Sequence, residues 1–258
     1  KLFLAGIVPG MLMGVAIGLT WWWVAKKENV PPGPRVIMPD RLKITAEGGF
    51  ALALPVLIIG GMKFGVFTPT EAAVVAAVYS FVVGMFIYRE LKFKALYSLI
   101  LSAGKTTAVV MFLVAAAMVS AWLITVANIP TEVANMLSPF MDNKILLMLV
   151  MMVLIVIVGT ALDFTPTVLI LTPVLMPVVL KAGIDPVYFG VMFIMNNAIG
   201  LITPPVGTVL NVVCGVAKIN MDTAFKGVLP FLWAQLGVLA LLVAFPAIVI
   251  EPMKWMLR

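Results

Sequence analysis

Apolar residues fall along this chain in long blocks set apart by short polar interruptions. A helix needs about 20 apolar residues to cross a bilayer. Residues 3–24 supply one block, closing on Trp21, Trp22 and Trp23, then Lys26 and Lys27. Aromatic residues followed by lysines read as an interfacial belt and a cytoplasmic stop. The polar stretch 25–47, broken by Pro31-Pro32-Gly33-Pro34, reads as a loop. Two apolar segments, 48–62 and 70–88, flank Gly65-Val66-Phe67-Thr68-Pro69-Thr70-Glu71, and the first is short for a span. Thr68 as N-cap, Pro69 at the first helical position and Glu71 three residues after the cap predict a capping box. Arg89, Lys92 and Lys94 make a second basic loop. Residues 97–127 form a long apolar segment with Lys105 near its start, and 128–144 a mixed loop.

The pattern changes over 145–217. Residues 145–158 and 166–180 are two short apolar stretches separated by Gly159-Thr160-Ala161-Leu162-Asp163-Phe164-Thr165-Pro166. Neither is comfortable as a full span, so together they predict a re-entrant helical hairpin. Residues 187–217 carry no charge, and their middle reads Asn196-Asn197-Ala198-Ile199-Gly200-Leu201-Ile202-Thr203-Pro204-Pro205-Val206-Gly207. Two adjacent prolines remove two backbone donors and forbid a continuous helix. A transmembrane helix broken into two half-helices is expected here. Residues 227–250 read as the last span.

Composition decides what surrounds these blocks. The 258 residues are 63% hydrophobic and only 11% charged, with a mean hydropathy of +1.18. Soluble domains are usually about 45–50% apolar and about 25% charged. Lipid is therefore the solvent for most of the chain, which excludes a soluble enzyme, a nucleic-acid partner and a disordered tail. The single cysteine, Cys214, allows no internal disulfide, and the lack of histidine removes imidazole from metal, base and proton-relay chemistry. The net charge of +6 then reads as lysine and arginine gathered in cytoplasmic loops.

That bias gives an orientation. With 25–47 inside, the pair 48–88 goes out and returns, 97–127 crosses to an outer 128–144, the hairpin returns outside, and Lys218 to Lys226 lie inside. Residues 3–17, FLAGIVPGMLMGVAI, also match 224–238, AFKGVLPFLWAQLGV, at Gly6 and Gly227 and at Pro9 and Pro230. The two copies start on opposite sides, which is the signature of an inverted repeat. The chain then holds the last helix of one repeat and the whole of a second.

Irregular backbone at membrane depth survives only where protein or a water-filled cavity covers it. The interruptions 159–166 and 199–207 should therefore face each other. Each frees carbonyls, which suit a hard cation such as sodium, and exposes a helix N-terminus, which suits an anion. Asp163 is the one ionisable residue between 145 and 180, so it is a functional candidate and equally a cap for the helix beginning near Pro166. Thr165 reads as an N-cap ahead of a ligand. Asn196 and Asn197 can bond substrate or stitch the hairpin to the half-helix, with stitching favoured for at least one. Glu71 is accounted for by its capping box and Lys105 by snorkelling.

Taken in order, Gly65-x-x-Thr68-Pro69-Thr70-Glu71-Ala72-Ala73, the hairpin from Gly159 to Pro173, Ile199-Gly200-x-x-Thr203-Pro204-Pro205-x-Gly207 and Lys226-Gly227-x-x-Pro230 resemble the large membrane subunit of tripartite ATP-independent periplasmic (TRAP) transporters. The likeness covers essentially the whole chain and corresponds to the C-terminal three-fifths of such a subunit. It implies an all-α integral membrane protein of the bacterial inner membrane. The implied function is sodium-coupled import of an organic acid, such as a C4-dicarboxylate, a sialic acid or a keto-acid sugar. Its implied partners are a periplasmic substrate-binding protein, a small membrane subunit, the N-terminal part of the same subunit and membrane lipids. An elevator mechanism is implied, with residues 1–28 as the last helix of the first repeat, 29–47 as a cytoplasmic loop and 48–96 as a scaffold helix pair. Residues 97–144 are then a connecting helix with its outer loop, 145–217 the transport domain and 218–258 a final scaffold helix. Carried over by motif, a sodium site falls on Gly159, Gly200, Thr203 and the Val206 carbonyl. Asp163, Thr165, Asn196 and Asn197 are the candidate substrate contacts.

Other readings remain beside this one. A sodium–carboxylate symporter of another elevator family would work without a binding protein. A channel could also use hairpins and broken helices. An intramembrane aspartyl hydrolase needs two facing carboxylates sharing a proton, and the hairpin offers only Asp163.

Overall fold

The computed structural model describes residues 1–31, 38–204 and 207–257. All regular structure among them is helical. Six helices are long and apolar enough to cross a membrane: Leu2–Lys27, Pro69–Ile87, Phe93–Val126, Lys144–Ala161, Phe164–Lys181 and Met221–Ala244. Large apolar side chains on them face outward, including Phe112 at 74% exposure and Trp122 at 64%. Such a surface is stable only against lipid or another apolar partner. The chain is a multi-pass membrane protein.

It divides into two units, one of residues 31–108 and one of 1–30 with 109–258. In the first, helices α3 (Met38–Lys63) and α4 (Pro69–Val82) pack as an antiparallel pair. The Tyr79 hydroxyl donates to the Phe50 carbonyl at 2.7 Å, and Phe50 meets Tyr88 edge to face. The predicted capping box is present. Glu71 N–H reaches Thr68 Oγ1 at 3.4 Å, while Thr68 N–H reaches the Glu71 carboxylate at 2.7 Å. Gly65, with φ +70°, turns the chain between the helices. The loop expected over 29–47 is helical from Met38, because polar residues preceding the apolar block extend α3 rather than ending it. Pro32, Gly33 and Pro34 of the expected break lie outside the described residues.

The larger unit contains α1 (Leu2–Ala5), α2 (Ile7–Lys27), the second half of α5 (Phe93–Val126), α6 (Ile129–Leu137), α7 (Lys144–Ala161), α8 (Phe164–Lys181), α9 (Pro186–Gly200), α10 (Thr208–Ala217), α11 (Met221–Ala244) and α12 (Ala247–Leu257). The stretch 128–144, expected as a loop, carries α6 and a 3-10 turn over Ser138–Phe140; Ala134 and Leu137 on α6 bury against the core. The last span ends at Ala244 rather than near 250, because Pro246 stops α11 and a separate α12 follows.

Its core lies where α7, α8 and α9 meet. Leu147, Met151, Ile155, Leu175, Val178, Val179 and Met192 are fully buried there. Asn143 caps α7 by accepting from Ile145 and Leu146 N–H, and Asp185 caps α9 by accepting from Val187 and Tyr188 N–H. The Lys144 ammonium donates to the Gly183 carbonyl at 3.0 Å, so α7 and α9 start side by side. Both then run in the same direction, with α8 returning between their ends.

Helices α2 and α11, which carry the two copies of the Gly-x-x-Pro repeat, pack on each other. Leu19, Thr20 and Trp23 of α2 share a crevice with Leu229, Pro230 and Trp233 of α11, while α12 contacts α1 and the start of α2. The pair is therefore antiparallel, the relation an inverted repeat requires. This arrangement also puts Lys26, Lys27 and Lys226 at one end of the unit and the α7–α9 starts at the other.

Candidate functional site

Gly159 and Gly200 bring α7 and α9 into backbone contact. A Cβ added to Gly200 would lie 2.9 Å from the Gly159 Cα and carbonyl carbon and 3.2 Å from its oxygen. A Cβ on Gly159 would lie 2.7 Å from Asn197 Oδ1. Glycine at 200 is required by the backbone approach, whereas a side chain at 159 would press first on the movable Asn197 amide. Gly159 is the sixteenth residue of α7 and Gly200 the fifteenth of α9, so each lies about 22–24 Å along its helix at 1.5 Å per residue. Two helix C-termini thus converge at one depth, with their carbonyl ends together.

The interruption is tighter than the sequence predicts. Gly159 and Thr160 lie in the last turn of α7, and α8 begins at Phe164, so the break is Leu162 and Asp163 alone. The two segments are consequently 18 residues each rather than the short stretches expected, and each is long enough to count as a span. Pro166 falls in the first turn of α8, where its missing N–H needs no partner. Thr165 is accordingly not the N-cap; Asp163 holds that position, although its carboxylate makes no capping bond. Asp163 is exposed, and its carbonyl accepts from Thr167 N–H at 3.2 Å and the Thr167 hydroxyl at 2.8 Å.

The second break opens after Gly200. Leu201 to Pro204 form turns, with Thr203 N–H bonded to the Gly200 carbonyl at 2.9 Å and its hydroxyl to the Ile199 carbonyl at 2.7 Å. Gly207, at φ +51°, starts α10, and its N–H donates to the Thr160 carbonyl at 3.2 Å. That bond ties the two breaks together, as expected of facing interruptions, and no local motif signalled it. Among the described residues no backbone N–H from outside α7 donates to the Gly159 carbonyl. Pro205 and Val206 lie outside the described residues, so the Val206 position in the predicted set is not described.

The two asparagines part company. Both are fully buried. Asn196 donates to the Met152 carbonyl of α7 and lines an apolar cavity of about 270 Å³ among α7, α9 and α11, with Val153, Leu236 and Val243. It is a stitch. Asn197 instead turns to the glycine crossing, its amide nitrogen 3.4 Å from the Phe164 carbonyl at the start of α8. The amide oxygens of both have no hydrogen-bond partner among the described residues. Leaving such a group unpaired in the interior costs about 1–3 kcal/mol.

Gly159, Gly200, Asn197 and Thr203 are therefore drawn together, with Asp163 and Thr165 at the adjoining α7–α8 turn, while Asn196 faces away. No group of three or more histidine, cysteine or acidic residues is placed to hold a metal among the described residues. The donors on hand are backbone and amide oxygens.

Residues 1–248 match the family model described as the tripartite ATP-independent periplasmic transporter, DctM component. The chain belongs to this family. The 2,3-diketo-L-gulonate TRAP transporter large permease of Escherichia coli is 54% identical over 255 residues, covering 99% of this chain and 60% of that protein. The C4-dicarboxylate TRAP transporter large permease of Pseudomonas aeruginosa is 35% identical over 99% of this chain and 60% of its own length. The sialic acid TRAP transporter large permease of Vibrio cholerae is 37% identical over 95% of this chain and 57% of its own. The chain thus spans about three-fifths of the length of these TRAP permeases. They are transporter components, not enzymes.

Proposed function

We propose that the Gly159–Gly200 crossing is a sodium site of a TRAP large permease that imports an organic acid across the bacterial inner membrane. The observation that carries this is the meeting of two helix C-termini at bare backbone, beside the buried, unpaired oxygen of Asn197. Helix C-termini carry partial negative charge, and carbonyl and amide oxygens are the ligands a hard cation prefers. The chemistry of the donors therefore fits sodium. The Gly159 and Gly200 carbonyls and Thr203, with Val206 completing the set, would hold the ion. Bound there, it would neutralise the carbonyl ends and draw α7 and α9 together.

The starts of α8 and α10 lie beside the same crossing and suit the substrate's carboxylate. Asp163 would repel that carboxylate, so its partners on a substrate are hydroxyl groups, which polyhydroxylated acids supply. Thr165 at the same turn offers a further hydroxyl. The relatives named for 2,3-diketo-L-gulonate, C4-dicarboxylate and sialic acid support the class of organic acids as cargo. In this reading the α7–α8 hairpin and the broken α9–α10 helix form the moving part of an elevator. They act with the rest of the large subunit, a small membrane subunit and a periplasmic binding protein.

The test is uptake by the full-length subunit reconstituted with both partners. Import should require sodium and stop when potassium replaces it. Undiminished uptake in potassium would refute the sodium site, and uptake without any binding protein would favour a symporter of another kind.

A further inference from the structure

A second feature of the same unit lies between α2 and α11 and shares no lining residue with the glycine crossing. Between α2 and α11 lies a crevice of about 540 Å³ lined by Leu19, Thr20, Trp23, Leu229, Pro230 and Trp233. Trp23 is 53% exposed and Trp233 65%. The Thr20 hydroxyl is spent on the Ala16 carbonyl at 2.8 Å, so the walls offer little but apolar surface.

The mouth of the crevice is basic. Lys27 sits with its ammonium 5.2 Å from the centre of the Trp23 ring, and Lys26 likewise 5.5 Å from Trp22. The contact with Trp23, which lines the crevice, holds the Lys27 charge beside the wall; Lys26 rests on Trp22, which is not part of it. Lys226 lies one turn before Pro230 on α11 and is exposed, and the antiparallel packing sets it at the same end as Lys27. Lys218 precedes α11 at that end as well. The acidic groups nearby are Glu28 and Asp222, fewer than the lysines. Among the described residues the one ion pair is Lys254 with Glu251, so neither Glu28 nor Asp222 makes a direct ion pair with these lysines.

We infer that this crevice binds an anionic phospholipid, with an acyl chain against Trp23, Leu229 and Trp233 and the phosphate between Lys27 and Lys226. An apolar protein helix would fill the walls and leave the lysines unanswered. A zwitterionic lipid would answer them with no net charge. An anionic phospholipid matches both halves, since tryptophans favour the interface and lysines favour anionic headgroups. The site is independent of the sodium reading and neither depends on the other.

Native mass spectrometry of the full-length subunit in detergent tests it, with dioleoyl phosphatidylglycerol or dioleoyl phosphatidylcholine added at equal concentration. The wild type should retain phosphatidylglycerol in preference. Lys27→Gln and Lys226→Gln, both at exposed positions, should each lower that preference about fivefold, the equivalent of about 1 kcal/mol per basic residue. Lys92→Gln/Lys94→Gln, in another basic segment, should leave it intact. Trp23→Ala/Trp233→Ala should reduce retention of both lipids. Equal retention of the two lipids by the wild type would overturn the proposal. So would an unchanged preference in Lys27→Gln/Lys226→Gln, or an equal loss in the Lys92/Lys94 variant.

Discussion

At the scale of single residues, the crossing depends on Gly200, where a hydrogen atom is the largest side chain that fits. Gly200→Ala sets a methyl 2.9 Å from Gly159 backbone, which no rotamer can relieve. Overpacking of this kind costs about 1–3 kcal/mol, and we expect a lower melting temperature and loss of sodium-dependent uptake. Gly159→Ala presses on the Asn197 amide oxygen, the end of a side chain that can turn, so its stability cost should be smaller while sodium dependence still falls. Calorimetry beside uptake separates the two effects. The asparagines should also differ. Asn196→Ala removes the stitch to Met152 and enlarges an apolar cavity, so it should lower thermal stability by about 1–3 kcal/mol while leaving the apparent sodium affinity of uptake near wild type. Asn197→Ala should weaken that affinity.

Among elements, the sequence was most readable where local chemistry writes its own boundary. Thr68-Pro69-x-Glu71 announces α4, and both reciprocal bonds are formed. Asp185-Pro186 opens α9 with a capping carboxylate and an N1 proline, though without the reciprocal bond of a capping box. Asp185→Ala should cost about 1 kcal/mol by freeing the Val187 and Tyr188 N–H groups, measurable by thermal unfolding. The breaks were legible as breaks but not in extent. Glycine and proline near 159–166 looked like a long interruption, yet glycine in a last turn and proline in a first turn both sit inside helices. The bond from Gly207 to Thr160 joins residues far apart in sequence, and nothing in either segment alone could have revealed it. Asn196 and Asn197 are neighbours on one helix, but successive helical positions face different ways, so only packing told the stitch from the site residue.

For the whole molecule, hydrophobic blocks were enough to read an all-helical membrane protein, and the Gly-x-x-Pro repeat related α2 to α11 as inverted copies, while their packing on each other came only with the fold. Their antiparallel packing makes sidedness a consequence of the fold. Lys27→Cys and Lys226→Cys, in a Cys214→Ser background, should react with a membrane-impermeant maleimide from the same side of the membrane. Lys144→Cys should react from the other side. Labelling of Lys27→Cys and Lys226→Cys from opposite sides would break the inverted-repeat arrangement.

The central claim is that the crossing of α7 and α9 binds sodium, and a ligand that binds the folded state raises its stability by mass action. The most direct measurement is thermal unfolding of the purified full-length subunit in sodium chloride and in potassium chloride at equal ionic strength. The account predicts a melting temperature that rises with sodium but not with potassium, and a sodium response abolished in Gly200→Ala. An equal response to both salts, or a sodium response preserved in Gly200→Ala, would contradict it.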